Sequence, residues 1–398
     1  MGDGIHLSKE HDAMTMTKHR RSDVSPFLVM EVLEEAERLQ KDGIDVVHME
    51  VGEPDFDTPA CIREAAERAM RDGKTHYTHS LGILPLREAI CEDYLRRYGV
   101  QVSPDQVMVT AGTSPALFML YSVLLDPGDE VILSNPCYAC YPNYITFADG
   151  VPVYVDALES EGYQLRSEAI REKIDPRTRA IMINSPSNPT GVVLDAERME
   201  GIAALGPMVV SDEIYHGLVY EGKERSILEF TDRACVLNGF SKLHAMTGWR
   251  LGYIIAPRDI IRGMQKIQQN FFISANAFVQ WAGVAALREA AADVEQMKRT
   301  YAERRLHLLD GLRGLGFQIP HPPTGAFYVL VNARKYTNDS LSFAFDLLRH
   351  ARVAVAPGID FGSNAEGYLR FSYATSLERI EEGIGRLGAH LASLDARV

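Results

Sequence analysis

The stretch 238–253 constrains the fold of this chain more than any other. An apolar run, 234–237, leads into it and is typical of a buried strand. A turn of small residues then presents Lys242, and Arg250 follows in a Thr-Gly-Trp-Arg run. Burial lowers the pKa of a lysine, and a neutral amine is a nucleophile toward carbonyl groups. A solvated lysine is the alternative, but the glycines and the Thr-Gly-Trp-Arg run favour a reactive amine at a strand end.

This segment closely resembles the Schiff-base lysine segment of fold-type I pyridoxal-phosphate (PLP) enzymes, specifically the class I/II aminotransferases. The resemblance implies that Lys242 forms the internal aldimine with PLP, and that Ser241 and Arg250 lie near the cofactor phosphate. Such a cofactor also needs a phosphate cradle, a carboxylate for its pyridine nitrogen, donors to its ring oxygen, an aromatic lid and a clamp for the substrate carboxylate.

Two further motifs supply groups for the pyridine ring. Asp212 ends the apolar run 208–211, where a carboxylate is costly unless it is paired. The resemblance implies that Asp212 pairs with the protonated ring nitrogen and that Tyr215 donates to the ring oxygen. Asn188 opens an Asn-Pro-Thr-Gly run that is highly characteristic of the family, and it would donate to the same oxygen. A simple Pro-Gly turn is the alternative for that run.

A glycine turn after the apolar strand 107–111 opens a helix. The free N–H groups and the dipole of a helix N-terminus favour an anion. We therefore expect Thr113 and Ser114 to bind the cofactor phosphate, with Gly112 allowing its close approach.

An aromatic residue, Tyr138, follows Asn135-Pro136 and resembles the ring that stacks on the pyridine face of the cofactor. We expect its neighbours Cys140 and Tyr141 to pack within a helix. The turn 325–328 resembles a substrate-facing turn that enters a strand.

The substrate carboxylate needs a cationic clamp. Arg370 lies on the predicted strand 368–374, and the family places there a bidentate fork that a lysine cannot match. A solvated arginine is the alternative. The resemblance also assigns Asn188 and the backbone of Gly52 to the substrate site.

Tyr77 resembles a family tyrosine that reaches across a dimer to the cofactor phosphate of the partner. A tyrosine packed at a loop end is the alternative. The match implies a homodimer, because each site would then contain groups of both chains.

The composition excludes several other classes of protein. The chain has 398 residues and a formal net charge of -13, which argues against a nucleic-acid or anionic-membrane surface. No apolar run is long enough for a membrane span, and the stretch 1–21 lacks the apolar region of a secretory signal. The five scattered cysteines predict a reducing, cytoplasmic location without disulfides. A lone pair, Cys137 and Cys140, lacks the second ligand pair of a zinc site.

The resemblance runs from Ser25 to the C-terminus and implies an α/β fold like that of aspartate aminotransferase. A mostly parallel sheet with helices on both faces forms a large PLP-binding domain, beside a smaller α+β domain. We predict a flexible arm (1–20), a small-domain part with an entry loop (21–55), the large domain (56–300) and the C-terminal small domain (301–398). The first helix is expected to start with Ser25 as N-cap and Pro26 as its first residue, with an apolar stripe at positions 27, 30, 33, 36 and 39.

These residues predict transamination between an L-amino acid and a 2-oxo acid of the 2-oxoglutarate or pyruvate type. A Cα–S lyase of the same fold is the alternative. A PLP-sensing transcription regulator is disfavoured, because the arm is too short for a DNA-binding domain. Ser114 and the uncharged segment 270–275 favour a neutral amino donor over aspartate. A mobile arginine, Arg20 or Arg21, would reverse that preference by closing over the site.

Overall fold

The computed structural model describes residues 24–395, so the predicted arm and both Arg20 and Arg21 lie outside the described residues. Helices and strands alternate along most of the chain. The helices are α1 (Leu28–Lys41), α2 (Ala60–Arg71), α3 (Leu84–Tyr98), α4 (Thr113–Leu124), α5 (Tyr141–Phe147), α6 (Ser167–Arg171), α7 (Ala196–Ala203), α8 (Arg258–Phe271), α9 (Ala277–Glu289), α10 (Ala291–Gly314), α11 (Ser340–Asp346) and α12 (Leu377–Asp395). The strands are β1 (Val47–His48), β2 (Val107–Thr110), β3 (Glu130–Asn135), β4 (Val151–Asp156), β5 (Thr178–Asn184), β6 (Met208–Asp212), β7 (Ala234–Gly239), β8 (Gly252–Ile255), β9 (Tyr328–Asn332), β10 (Val353–Ala354), β11 (Ala356–Pro357) and β12 (Tyr368–Ser372).

A seven-stranded sheet forms the centre of the molecule, in the order β2-β8-β7-β6-β5-β3-β4. Only β8 runs against its neighbours β2 and β7, and the other pairs in this sheet are parallel. The predicted mostly parallel sheet is confirmed. Because the parallel strands share one direction, their carboxyl ends meet at one edge of the sheet.

Helices cover both faces of this sheet. One face packs on α2, α3 and α9 through a core that includes Ile62, Leu86 and Val279. The other face packs on α4, α5 and α8 through a second core. Every residue of β2 and β7 is buried, as expected for strands that are covered on both sides.

A smaller layer is built from both ends of the described chain. Strand β1 pairs in parallel with β10, and β9, β11 and β12 form an antiparallel sheet. This layer packs on the long helix α10 and on α12 through an apolar core of its own. The exact domain limits stay predictions. Within residues 24–395, none of the helices has the length and apolarity to cross a membrane.

The first helix begins at Leu28, so the prediction that Ser25 caps it is wrong. The N–H groups of Leu28 and Val29 donate to the two carboxylate oxygens of Asp360, at 3.0 and 3.1 Å. A side chain far away in the sequence therefore satisfies the free donors of this helix start. The backbone of Ser25 instead exchanges two hydrogen bonds with the side chain of Asn143.

The apolar stripe of α1 also differs from the expected one. Its buried residues are Val29, Val32, Ala36 and Leu39, whereas Met30 is 42% exposed.

Candidate active site

The carboxyl ends of the parallel strands bring most of the predicted site residues together. Asp212 is the last residue of β6, and Lys242 follows β7 within a few residues. Asn188 follows β5 in the same way. These side chains line one cavity of about 370 Å³. The predicted residues that line it are Gly52, Thr113, Ser114, Tyr138, Asn188, Asp212, Tyr215, Ser241, Lys242, Arg250 and Arg370.

The amine of Lys242 is turned toward the entry loop. Its Nζ atom donates a 2.6 Å hydrogen bond to the carbonyl oxygen of Gly52. Burial lowers the pKa of Lys242 to about 8; the charge of Glu53 opposes that shift, whereas Arg370 and Arg250 add to it. A substantial fraction of this amine is therefore neutral near pH 7.5, where it can act as a base or a nucleophile.

Asp212 presents a buried carboxylate that is held by two donors. The hydroxyl of Tyr141 donates to Oδ2 at 2.8 Å, and the N–H of Ile214 donates to Oδ1 at 3.1 Å. Burial nevertheless raises the pKa of Asp212 to about 6. A cation beside this carboxylate would offset the cost of its burial. Tyr141 packs in α5 as expected, and its hydroxyl also orients Asp212, which the sequence did not indicate.

Arg370 is 2% exposed, which excludes the alternative of a solvated arginine. One of its terminal nitrogens donates to Oδ1 of Asn188 at 2.9 Å, and the other donates to the carbonyl oxygen of Glu50. Its guanidinium lies 4.4 Å from the ring centroid of Tyr328 and 4.8 Å from that of Phe361. The charged fork is thus held rigidly at the cavity, and its buried Nε has no hydrogen-bond partner among the described residues.

The start of α4 forms a cradle for an anion. Gly112 has a φ of +98°, and a Cβ atom there would lie 2.7 Å from a guanidinium nitrogen of Arg250. A Cβ atom at Gly252 would lie 2.8 Å from the backbone nitrogen of Thr113. The two glycines let Arg250 and the helix N-terminus approach each other closely. Gly112 lies behind the cavity rather than on its wall.

Aromatic side chains form the remaining walls of the cavity. Tyr138 packs edge-on against Tyr141 and Phe27, with centroid distances of 5.2 and 5.9 Å. The hydroxyl of Tyr215 lies 2.8 Å from that of Tyr328. The sequence indicated a substrate-facing turn at 325–328 but did not single out Tyr328. The apolar spacing of the segment 27–39 was the only signal for Phe27, Met30 and Leu33, which also line the cavity.

Tyr77 is the predicted site residue that lies away from the cavity. It is 85% exposed, in a depression lined by 75–77 and 274–278. Cys137 and Cys140 are both unpaired. No group of His, Cys, Asp or Glu side chains between residues 24 and 395 is arranged to hold a metal ion.

The donor set of the cavity fits PLP. Lys242 offers an amine for its aldehyde, and Asp212 offers a carboxylate for its ring nitrogen. Asn188 and Tyr215 offer donors for its ring oxygen, and the cradle at the start of α4 offers N–H groups for its phosphate. The positive φ and the close backbone approach at Gly112 are features that such a cradle requires.

Comparisons with known proteins identify the family to which this chain belongs. The family model for aminotransferase class I and II matches residues 44–387. A (5-formylfuran-3-yl)methyl phosphate transaminase of Methanocaldococcus jannaschii is 42% identical over 376 residues, which cover 94% of this chain and 98% of that relative. An aspartate/prephenate aminotransferase of Thermus thermophilus is 41% identical over 371 residues, which cover 91% of this chain and 95% of that relative.

A solved structure supports the same assignment. The aspartate aminotransferase from Thermus thermophilus with maleate matches this fold with a TM-score of 0.90 at 41% identity, over 93% of this chain and 98% of that one. The chain therefore belongs to the class I and II aminotransferases, a family of PLP-dependent enzymes of fold type I.

Proposed function

We propose that this protein catalyses transamination between an L-amino acid and a 2-oxo acid of the 2-oxoglutarate or pyruvate type. Lys242 is the residue that binds PLP covalently and carries protons during the reaction. The observation that carries this proposal is the arrangement of the cavity, where an amine of lowered pKa shares one space with the Asp212 carboxylate and the Arg370 fork.

Each residue has a defined task in this proposal. Arg370 binds the α-carboxylate of the substrate through two parallel hydrogen bonds. Asp212, as an anion, keeps a proton on the pyridine nitrogen. PLP, when bound, withdraws the electron pair that remains on the α-carbon after proton loss. Nζ of Lys242 would remove the α-proton of the substrate as a general base and hold that proton for the following transfer.

A half-reaction panel tests transamination against Cα–S lysis. The purified holoenzyme is mixed with single amino acids in the absence of an oxo acid, and the visible band of the cofactor is followed. Loss of the band, with one equivalent of oxo acid per site, supports transamination. A persistent band with accumulation of pyruvate and ammonia from cysteine or cystathionine would support the lyase instead.

We propose a neutral, apolar amino acid as the preferred donor. The cations that line the cavity in the described part of the chain are Lys242, Arg250 and Arg370, and each already has a task. Helix α1 and the residue just before it contribute apolar groups, Met30 and Phe27 among them. The relatives named for aspartate make that amino acid the competing donor. Faster bleaching of the band by aspartate than by leucine or phenylalanine would overturn this preference.

We propose a homodimer and a cytoplasmic location. Exposed apolar residues lie in two neighbouring segments, with Tyr77 in the first and Phe271, Phe272 and Ile273 in the second. A hydrogen bond from the N–H of Thr78 to the hydroxyl of Ser274 joins the two segments. Exposed apolar clusters of this kind mark interaction surfaces. All five cysteines are unpaired, which accords with a reducing compartment.

A further inference from the structure

Tyr328 occupies a position at the centre of the cavity wall. It is the first residue of β9 and is 1% exposed. Its hydroxyl lies 2.8 Å from the hydroxyl of Tyr215, so the two phenols share a hydrogen bond. Since each phenol has a single proton, only one of the two can donate in this bond.

Two other site residues contact Tyr328. The guanidinium of Arg370 lies over its ring, 4.4 Å from the centroid. Its hydroxyl lies only 1.8 Å from the point where a Cβ atom at Gly52 would be, so the glycine leaves room for the phenol. Tyr328 therefore links the carboxylate clamp, the entry loop and the Tyr215 hydroxyl.

The proposed role of Tyr215 sets the direction of the shared hydrogen bond. Burial raises the pKa of both phenols. The Arg370 charge opposes this rise for both phenols, and its guanidinium lies against the ring of Tyr328. If Tyr215 gives its single proton to the ring oxygen of the cofactor, it can only accept in the shared bond, and Tyr328 is then the donor. The other titratable groups that face Tyr328 are the phenols of Tyr138, Tyr301 and Tyr373.

We propose that Tyr328 is a positioning residue that donates its hydroxyl proton to the oxygen of Tyr215 and so turns the Tyr215 proton toward the ring oxygen of PLP. This inference rests on the proposed role of Tyr215. A donor that itself accepts a hydrogen bond is polarised and binds its own acceptor more strongly. No covalent bond forms or breaks, and both protons stay on their own oxygens.

The test compares three variants and a matched control in the holoenzyme. The variants are Tyr215→Phe, Tyr328→Phe and the double variant. The control is Tyr301→Phe, because Tyr301 is equally buried, packs against Phe327 at 5.5 Å, and its hydroxyl has no hydrogen-bond partner among the described residues. The readout is the pKa of the visible cofactor band, measured by spectrophotometric titration rather than by turnover.

A weaker donation to the ring oxygen raises the pKa of that band, because less negative charge is stabilised on the oxygen. We expect Tyr215→Phe to raise it most, Tyr328→Phe to raise it by about 0.5 pH unit, and Tyr301→Phe to leave it unchanged. Because Tyr328 acts through Tyr215, the double variant should match Tyr215→Phe alone.

The other outcomes distinguish a failure of this inference from a failure of the proposed function. A pKa that is unchanged or lowered in Tyr328→Phe, while Tyr215→Phe raises it, would overturn this inference and leave the proposed function in place. An unchanged pKa in Tyr215→Phe would remove the role of Tyr215 and this inference with it. Melting of the apoenzyme shows whether Tyr328→Phe is folded. Gly52→Ala provides a second route, because its methyl group displaces the Tyr328 hydroxyl without removing it and should raise the same pKa.

Discussion

Arg370 donates a 2.9 Å hydrogen bond to the side-chain oxygen of Asn188. Because the amide oxygen accepts from the guanidinium, the amide NH₂ group of Asn188 is left to donate elsewhere, and the ring oxygen of PLP is the acceptor that we propose for it. The substrate clamp and a cofactor contact are thereby coupled through one hydrogen bond.

Substitution of Arg370 tests whether it binds the substrate carboxylate. Arg370→Lys keeps the charge but loses the planar pair of donors, so one substrate hydrogen bond and the bond to Asn188 are both lost. We expect kcat/KM for the amino donor to fall about 30-fold, which corresponds to about 2 kcal/mol. Arg334→Lys is the control, because Arg334 is exposed and away from the cavity. Unchanged kcat/KM in Arg370→Lys would refute the clamp.

Lys242→Ala removes the amine that we propose for covalent binding and proton transfer. We expect turnover to vanish and PLP to stay bound only non-covalently. Borohydride treatment followed by mass spectrometry should find the cofactor mass on the wild-type chain and not on the variant. Lys266→Ala, at an exposed lysine of α8, is the control and should keep both activity and label. Full transaminase activity in Lys242→Ala would contradict the proposed function as a whole.

The buried carboxylate of Asp212 is expected to lower the stability of the apoenzyme and to strengthen cofactor binding. Its pKa rises from 3.8 to about 6 in the folded chain because of burial. The folded state therefore binds more protons than the unfolded state between these pH values, and the stability of the apoenzyme falls as the pH rises through this window. At pH 7 the free-energy cost of keeping Asp212 ionised in the folded chain is fully present and amounts to about 3 kcal/mol.

Asp212→Asn removes that cost. Its amide oxygen can accept from the N–H of Ile214, and its NH₂ group can donate to the hydroxyl oxygen of Tyr141, which is able to accept. We expect the free energy of unfolding of the apoenzyme to increase by as much as about 3 kcal/mol at pH 7, and to match the wild type below pH 4. Urea denaturation at several pH values measures this difference. The same variant should bind PLP more weakly, because the ring nitrogen loses its anion. A variant less stable than the wild type at pH 7 would show that the carboxylate is stabilised in the fold.

The sequence predicted those parts of the fold and site that local patterns determine. Apolar runs mark β6 and β7, and the polar residues just beyond them, Asp212 and Lys242, fall at the carboxyl edge of the sheet because parallel strands align their ends. The glycine turn before α4 is likewise a local feature. For these elements the pattern and the resemblance agree with the structure.

The missed features all depend on partners that are distant in the chain. Tyr141 meets Asp212 across 71 residues, and Tyr328 meets Tyr215 across 113. The cap of α1 comes from Asp360, which lies 332 residues from Leu28. Spacing along the chain carries no signal for such pairs, because only the tertiary packing of the chain brings them together.

The proposed dimer makes a prediction about sites that two chains share. If Tyr77 acts in the site of the partner, Tyr77→Ala should weaken cofactor binding about 10-fold, through the loss of one hydrogen bond to phosphate. Because the Tyr77 side chain is 85% exposed, its truncation should not disturb folding, and a folding defect would not explain weaker cofactor binding. A dimer that combines one Tyr77→Ala chain with one Lys242→Ala chain would contain one site with both residues intact.

Co-expression with two affinity tags yields these mixed dimers. At cofactor concentrations where each parent is inactive, the mixed dimers isolated through both tags should have about half of the wild-type activity, because one of their two sites is complete. The control pairs Lys242→Ala with Asp212→Asn. Both of these residues line the cavity of one chain, so every mixed site stays defective and no activity should return. Equal failure of both mixtures would mean that Tyr77 serves its own chain, and the shared site would be refuted even if the protein is a dimer.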